Sequence, residues 1–262
     1  MLKFNKSVLA VLIVTLTAVA FGQSALEKNK PIDQWTQKEA TEILNNSAWV
    51  RTYQSNEGAA AAAAAGARRQ QSDNRLVGSE RSRSDLTGAP PPIVMRLYSG
   101  LPIRLAIARL RQIAAGYEKM NDKAKAEFNQ ANKMLLECPA CKNNYVVSLT
   151  QIPNPSGEFV EEAIFEGMTL DQMKGNAWLR NDKGEKRELI HFIAPAKRGD
   201  SAMFFFARND DKGNAFLTKD NSEFSFVFDG NFFTSKNRFA YLIPRQFDFK
   251  VSKITVADTL VF

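Results

Sequence analysis

LLECPACKNNYVVSL, residues 135–149, is where the hydrophobic period of this 262-residue chain changes. Before it, apolar residues recur at helical spacing; after it, they recur at every second position. In PPIVMRLYSGLPIRLAIARLRQIAAGYEKM (91–120), Ile93 to Tyr98 reads as a strand, and a helix starts near Pro102. Ile103, Ile107, Leu110, Ala114 and Tyr117 place an apolar stripe on one side of that helix, with Arg104, Arg109 and Arg111 elsewhere. A second helix, from about Asp122 to Glu137, carries Ala124, Phe128, Ala131 and Leu135 at the same spacing. The two helices are expected to share one core.

Beyond residue 144 the pattern alternates. YVVSLTQI reads as a strand, and TLDQMKG as one helical turn ended by Gly175. AWLRNDKGEKRELIHFIAP reads as a hairpin turning at Asp182–Lys183–Gly184, and SAMFFFARNDDKGNAFLT as a second one turning near Asp211–Lys212–Gly213. In EFSFVFDG, Phe224, Phe226 and Phe228 share a face; Phe247, Phe249 and Val251 repeat the pattern. Short strands separated by turns point to an antiparallel sandwich or a partly open barrel. The expected class is α+β, with N-terminal helices and a C-terminal β-sandwich-like part.

The first residues, MLKFNKSVLAVLIVTLTAVAFGQSA, carry Lys3 and Lys6, then an apolar run, then small residues at Ala20 and Gly22. That is the build of a secretory signal peptide cleaved after Gly22. The run from Val8 to Phe21 falls short of the roughly 20 residues a membrane-spanning helix needs. Removing 1–22 lowers the formal charge from +7 to +5, a mild excess with basic residues spread along the chain. Nucleic-acid binding is therefore not expected. The organisation expected is a signal peptide (1–22), a short helical segment (23–55), a disordered tract (56–92), a strand with two helices (93–144) and a β-rich part (145–262). In the helical segment, Thr36 and Glu39 fit a capping box. Trp35 and Trp49 flank that helix as anchors and possible interaction residues. The tract contains seven consecutive alanines, Ala59 to Ala65, and too few large apolar residues to offset chain entropy.

Both cysteines lie in Cys138–Pro139–Ala140–Cys141. Residue 142 is Lys, which removes the histidine of a c-type haem site. Two cysteines and one histidine do not complete a structural zinc site, and neither metal nor cofactor is expected. A redox-active pair would read strand, Cys-x-x-Cys, helix, with the first cysteine at a helix N-terminus. Here the order reads helix, Cys-x-x-Cys, strand. Cys138 then sits at a helix C-terminus, whose partial negative charge disfavours a thiolate. A structural disulfide between Cys138 and Cys141, pinning the corner in an oxidising compartment, is the better reading.

With His191 as the sole histidine, charge-relay and multi-histidine catalysis lack their parts. His191 shares a predicted strand face with Leu189 and Ile193 and reads as a structural residue. Glu158, Glu161, Glu162 and Glu166 cluster, but a solvated acidic segment explains them better than paired catalytic carboxylates. The terminal DTLVF resembles the end of an outer-membrane barrel strand, yet Asp258 would face lipid.

The segments WTQKEATEILNNSAW, PPIVMRLYSGLPIRLAIARL and CPACKNNYVVSLTQI resemble a group of exported hypothetical proteins from soil bacteria of the acidobacterial type. The resemblance implies export in a bacterium and brings no functional residues with it. The expectation is a protein of the periplasm or exterior of a Gram-negative cell, without stable membrane insertion after signal cleavage. Its expected role is a non-enzymatic binding or interaction module for an envelope protein or polymer. A thiol–disulfide protein and a carboxylate-dependent hydrolase are the alternatives.

Overall fold

The computed structural model describes residues 30–53, 92–152, 164–229, 243–256 and 259–260. The predicted signal peptide and nearly all of the predicted disordered tract lie outside the described residues. So do Glu158, Glu161 and Glu162.

The described chain is a mixed structure of helices and one eight-stranded antiparallel sheet. Its strands are β1 (Val50–Tyr53), β2 (Ile93–Leu97), β3 (Asn144–Gln151), β4 (Ala177–Asn181), β5 (Lys186–Ile193), β6 (Ala202–Ala207), β7 (Glu223–Phe228) and β8 (Gln246–Lys250). They are ordered β1-β2-β3-β6-β5-β4-β7-β8, and a separate two-stranded piece pairs β9 (Thr255–Val256) with β10 (Thr259–Leu260). The helices are α1 (Gln37–Asn45), α2 (Leu101–Ala115), α3 (Asp122–Glu137), α4 (Pro139–Asn143) and α5 (Leu170–Met173).

The sheet curls on itself instead of dividing into the two layers of the expected sandwich. Laid flat at about 4.8 Å per strand, β1 and β8 would lie roughly 34 Å apart. Yet Nε of Arg51 on β1 donates to the carbonyl of Asp248 on β8 at 2.6 Å, and its guanidinium lies 4.4 Å from the centroid of Phe249. Phe204 on β6 and Phe226 on β7, with two strands between them in the sheet, bring their rings to 5.1 Å. A near-barrel of eight strands has an interior that side chains alone can fill. Phenylalanine fills it: Phe204, Phe206, Phe224, Phe226 and Phe249 are almost wholly buried. Edge-to-face contacts such as Phe226–Phe228 at 4.5 Å and Phe206–Phe226 at 5.6 Å set their arrangement. An apolar inside with charged residues outside is the inverse of a membrane barrel. Among the described residues, no helix is long and apolar enough to cross a membrane.

The helices cover the outer face at one end of the strand order. Val50, Val94, Val146 and Ser148 point away from the phenylalanine core and are nevertheless buried. Arg96, on the same outer face, donates to the carbonyl of Leu44 and to Asn45 Oδ1 at the end of α1. The predicted capping box is present: Thr36 Oγ1 accepts from the Glu39 N–H, and the Glu39 carboxylate accepts from the Thr36 N–H. Helix α2 departs from its predicted single stripe. It packs between α1 and α3, so Arg104 and Arg109 are buried while Ala114 is exposed. Both arginines serve as ties: Arg109 donates to the carbonyl of Trp35 at 2.7 Å, and Arg104 donates to the carbonyls of Leu136 and Ser99.

The second predicted hairpin is reduced to one isolated bridge, Asn209 with Ala215. Asp210 explains this, because its carboxylate accepts from the N–H groups of Lys212 and Asn214 and closes a local turn in place of a ladder. The first hairpin forms as expected. Gly184 takes φ 80° there, and its N–H donates to the carbonyl of Asn181.

Candidate functional site

Cys138 and Cys141 form a disulfide, and no free cysteine remains. The corner differs from its predicted form in one respect. A one-turn helix, α4, follows Cys138 directly, so Cys138 caps the end of α3 and the start of α4 in a left-handed conformation with φ 39°. Both cysteines are buried, packed with Val146 under Tyr98, Met203 and Phe205. Arg208 donates to the carbonyl of Cys141 at 2.9 Å, and Arg104 holds the preceding carbonyl at Leu136. The site is a corner in which both cysteines are buried.

Trp35 and Trp49 are each 2% exposed and anchor the helical layer inside the core, so neither ring is presented to a partner. His191 does not share a face with Leu189. A bulge between them turns Leu189 inward and leaves His191 exposed on the outer face, 4.9 Å from the ring of Phe205. Glu166 lies exposed in a turn.

The open chemistry of the molecule is on the outer face of β4, β7 and β8. Strand register aligns Arg180 with Ser225 and Ser225 with Asp248 in one row, and Trp178 with Val227 and Val227 with Gln246 in the next. Alternation sends Leu179, Phe226 and Phe247 inward at the intervening positions. A groove of about 330 Å³ lies here, lined by residues that include Arg180, Asp182, Glu223, Ser225 and Gln246.

Gln246 is the centre of the groove's polar network. Its Oε1 accepts from Arg180 Nη2 at 2.8 Å, and its Nε2 donates to Asp248 Oδ1. Ser225 Oγ donates to the same oxygen at 2.7 Å. The amide therefore keeps a cation and a carboxylate apart while orienting both. At the end of the groove, Asp182 accepts from Asn221 Nδ2, and from both the N–H and the hydroxyl of Ser222. These bonds, the one from Asn221 foremost, hold its carboxyl well below the usual range. It is ionised at any pH a cell reaches and serves to fix the turn.

Sequence alone missed these residues. The strands AWLRN, EFSFVF and QFDFK each show alternation, but β4 and β7 are far apart in the chain, and only their pairing brings Arg180, Ser225 and Asp248 into line. The chain is thus an α+β protein with a curled antiparallel sheet, a buried disulfide and, among the described residues, a preorganised polar groove. Compared with protein-family models, curated proteins and solved structures, it matches none.

Proposed function

We propose that this chain is an exported, non-enzymatic binding module of the cell envelope, and that its ligand lies on the outer face of β4, β7 and β8. The observation that carries this reading is the Arg180–Gln246–Asp248–Ser225 network, held in geometry by its own hydrogen bonds, with Arg180, Gln246 and Asp248 exposed and Ser225 buried. A site ordered before its ligand arrives avoids part of the entropy cost of binding. The leader-like residues 1–22 and the disulfide support an address in an oxidising compartment, the periplasm or exterior of a Gram-negative cell.

Co-sedimentation with purified envelope fractions tests the proposal. The processed protein should pellet with the envelope, whereas the Arg180→Ala/Asp248→Ala variant should stay in the supernatant with an unchanged melting temperature. Equal sedimentation of the two would overturn it.

A second reading, thiol–disulfide exchange, draws on the short helix that begins just after Cys138. Burial of both sulfurs weighs against it, since exchange needs in-line access to a sulfur. Turnover of a disulfide substrate by the native protein would revive it.

A further inference from the structure

Resting on that reading of the groove, we infer that its occupant is a neutral polyhydroxylated chain, a polysaccharide or oligosaccharide. Two observations point there. The first is the placing of exposed hydrogen-bonding groups side by side. Arg180 uses Nη2 on Gln246, while its Nε and Nη1 have no partner among the described residues. Asp248 uses Oδ1 twice, and its Oδ2 has no partner among the described residues. Donors and an acceptor therefore sit in one row, three strands wide, which is roughly 10 Å at the usual strand spacing. A hydroxyl both donates and accepts, so neighbouring hydroxyls of one sugar ring can meet Arg180 and Asp248 together. An anionic ligand would face Asp248 and Glu223, and a cationic one would face Arg180 and Lys186, which the register sets opposite it. Each is disfavoured by half of the site.

The second observation is Trp178. It lies two positions before Arg180 on the same outer face, in the row of Gln246, with its indole half-buried. Lys186, which is exposed, places its ammonium over that ring, 4.2 Å from the centroid, so a ligand stacking on this face must displace it. A planar apolar surface beside a donor–acceptor row suits a ligand with polar edges and an apolar face, which is what a pyranose ring has. Trp178 and Asp248 lie on the same face but outside the groove's lining, so a ligand that meets both must extend along the sheet beyond the groove.

Titration of the processed protein with soluble neutral oligosaccharides, followed by tryptophan emission and calorimetry, tests this. Trp35 and Trp49 are shut inside the core, so a saturable emission shift reports on Trp178. Arg180→Ala and Asp248→Asn should each weaken binding about tenfold or more, the loss expected for a hydrogen bond to a charged group. Trp178→Phe should abolish the emission shift while heat of binding persists. Envelope binding without saccharide binding would overturn the ligand class and leave the broader reading standing; loss of both would overturn both. Saccharide binding that neither the Arg180 nor the Asp248 variant weakens would place the sugar elsewhere and overturn the inference.

Discussion

Gly100 is where the end of β2 passes under Trp49 to start α2. Its φ is ordinary, −66°, so backbone freedom is not the reason for glycine. Space is the reason: a Cβ there would lie 2.7 Å from Trp49 Cδ1 and 2.9 Å from the carbonyl oxygen of Leu97. Gly100→Ala must displace a buried indole in a close-packed core, and a loss of about 1–3 kcal/mol in urea unfolding is expected. Glu39 makes a different kind of residue-scale prediction. The Lys30 ammonium, bonded to the Glu39 carboxylate at 2.8 Å, and then the Thr36 N–H lower its pKa from 4.5 to about 2. The unfolded chain takes up this proton first as pH falls. The stabilisation is therefore complete above about pH 4.5 and is lost as the pH drops towards about 2. Because the side chain is 26% exposed, solvent keeps the effect modest. Stability measured across that window should fall less steeply in Glu39→Gln than in the parent. Identical slopes would remove Glu39 as the titrating group.

At the scale of elements, local signals were legible and shared ones were not. The Thr36–Glu39 box could be read because a cap depends on residues three apart. The same logic holds for α5, where Thr169 and Gln172 form a second box. Helix α2 could not be read fully, because periodicity assumes one buried side and this helix has two. Its buried Arg104 looks like a surface residue until α3 is placed beside it. The CPAC corner lay between these cases: the disulfide was legible from the spacing of the two cysteines, while the one-turn helix α4 was not. That helix follows from Pro139 at its first position, where a missing N–H costs nothing. A bridge closing so small a loop contributes about 2 kcal/mol on the chain-entropy model. Cys138→Ser/Cys141→Ser should therefore fold and lose about that much, as read by denaturant unfolding. Because Cys138 and Cys141 are 7% and 4% exposed, reductant should leave the native disulfide largely unlabelled by a thiol reagent and open it readily in denaturant. Fast native-state labelling would show that the corner opens locally.

At the scale of the molecule, the phenylalanine alternation foretold an inside and an outside, but not how the sheet closes. Closure depends on strands 197 residues apart, Arg51 against Asp248, and no local pattern encodes that meeting. Each inner strand of the sheet has two ladder partners, whereas β1 and β8 each have one. What spans the gap between them is a side chain. Arg51 donates from Nε to the carbonyl of Asp248 and from Nη1 to those of Ala48 and Val50, while its plane rests on Phe249. A guanidinium suits this task because its donors fan out in a fixed plane, which a lysine ammonium cannot copy. The seam should then be the weakest line of the barrel, opening while the β3–β6 centre stays closed. Hydrogen exchange should show β3 and β6 amides slowest and β1 and β8 faster. Arg51→Met, which keeps the apolar contact and removes the donors, should speed exchange in β1 and β8 with little change in β3 and β6. Since Asp248 lies on β8, the same variant should also weaken whatever binds the groove. A uniform rise in exchange across all eight strands would instead mean that seam and core open as one unit, and that Arg51 supports the whole barrel and not its edge.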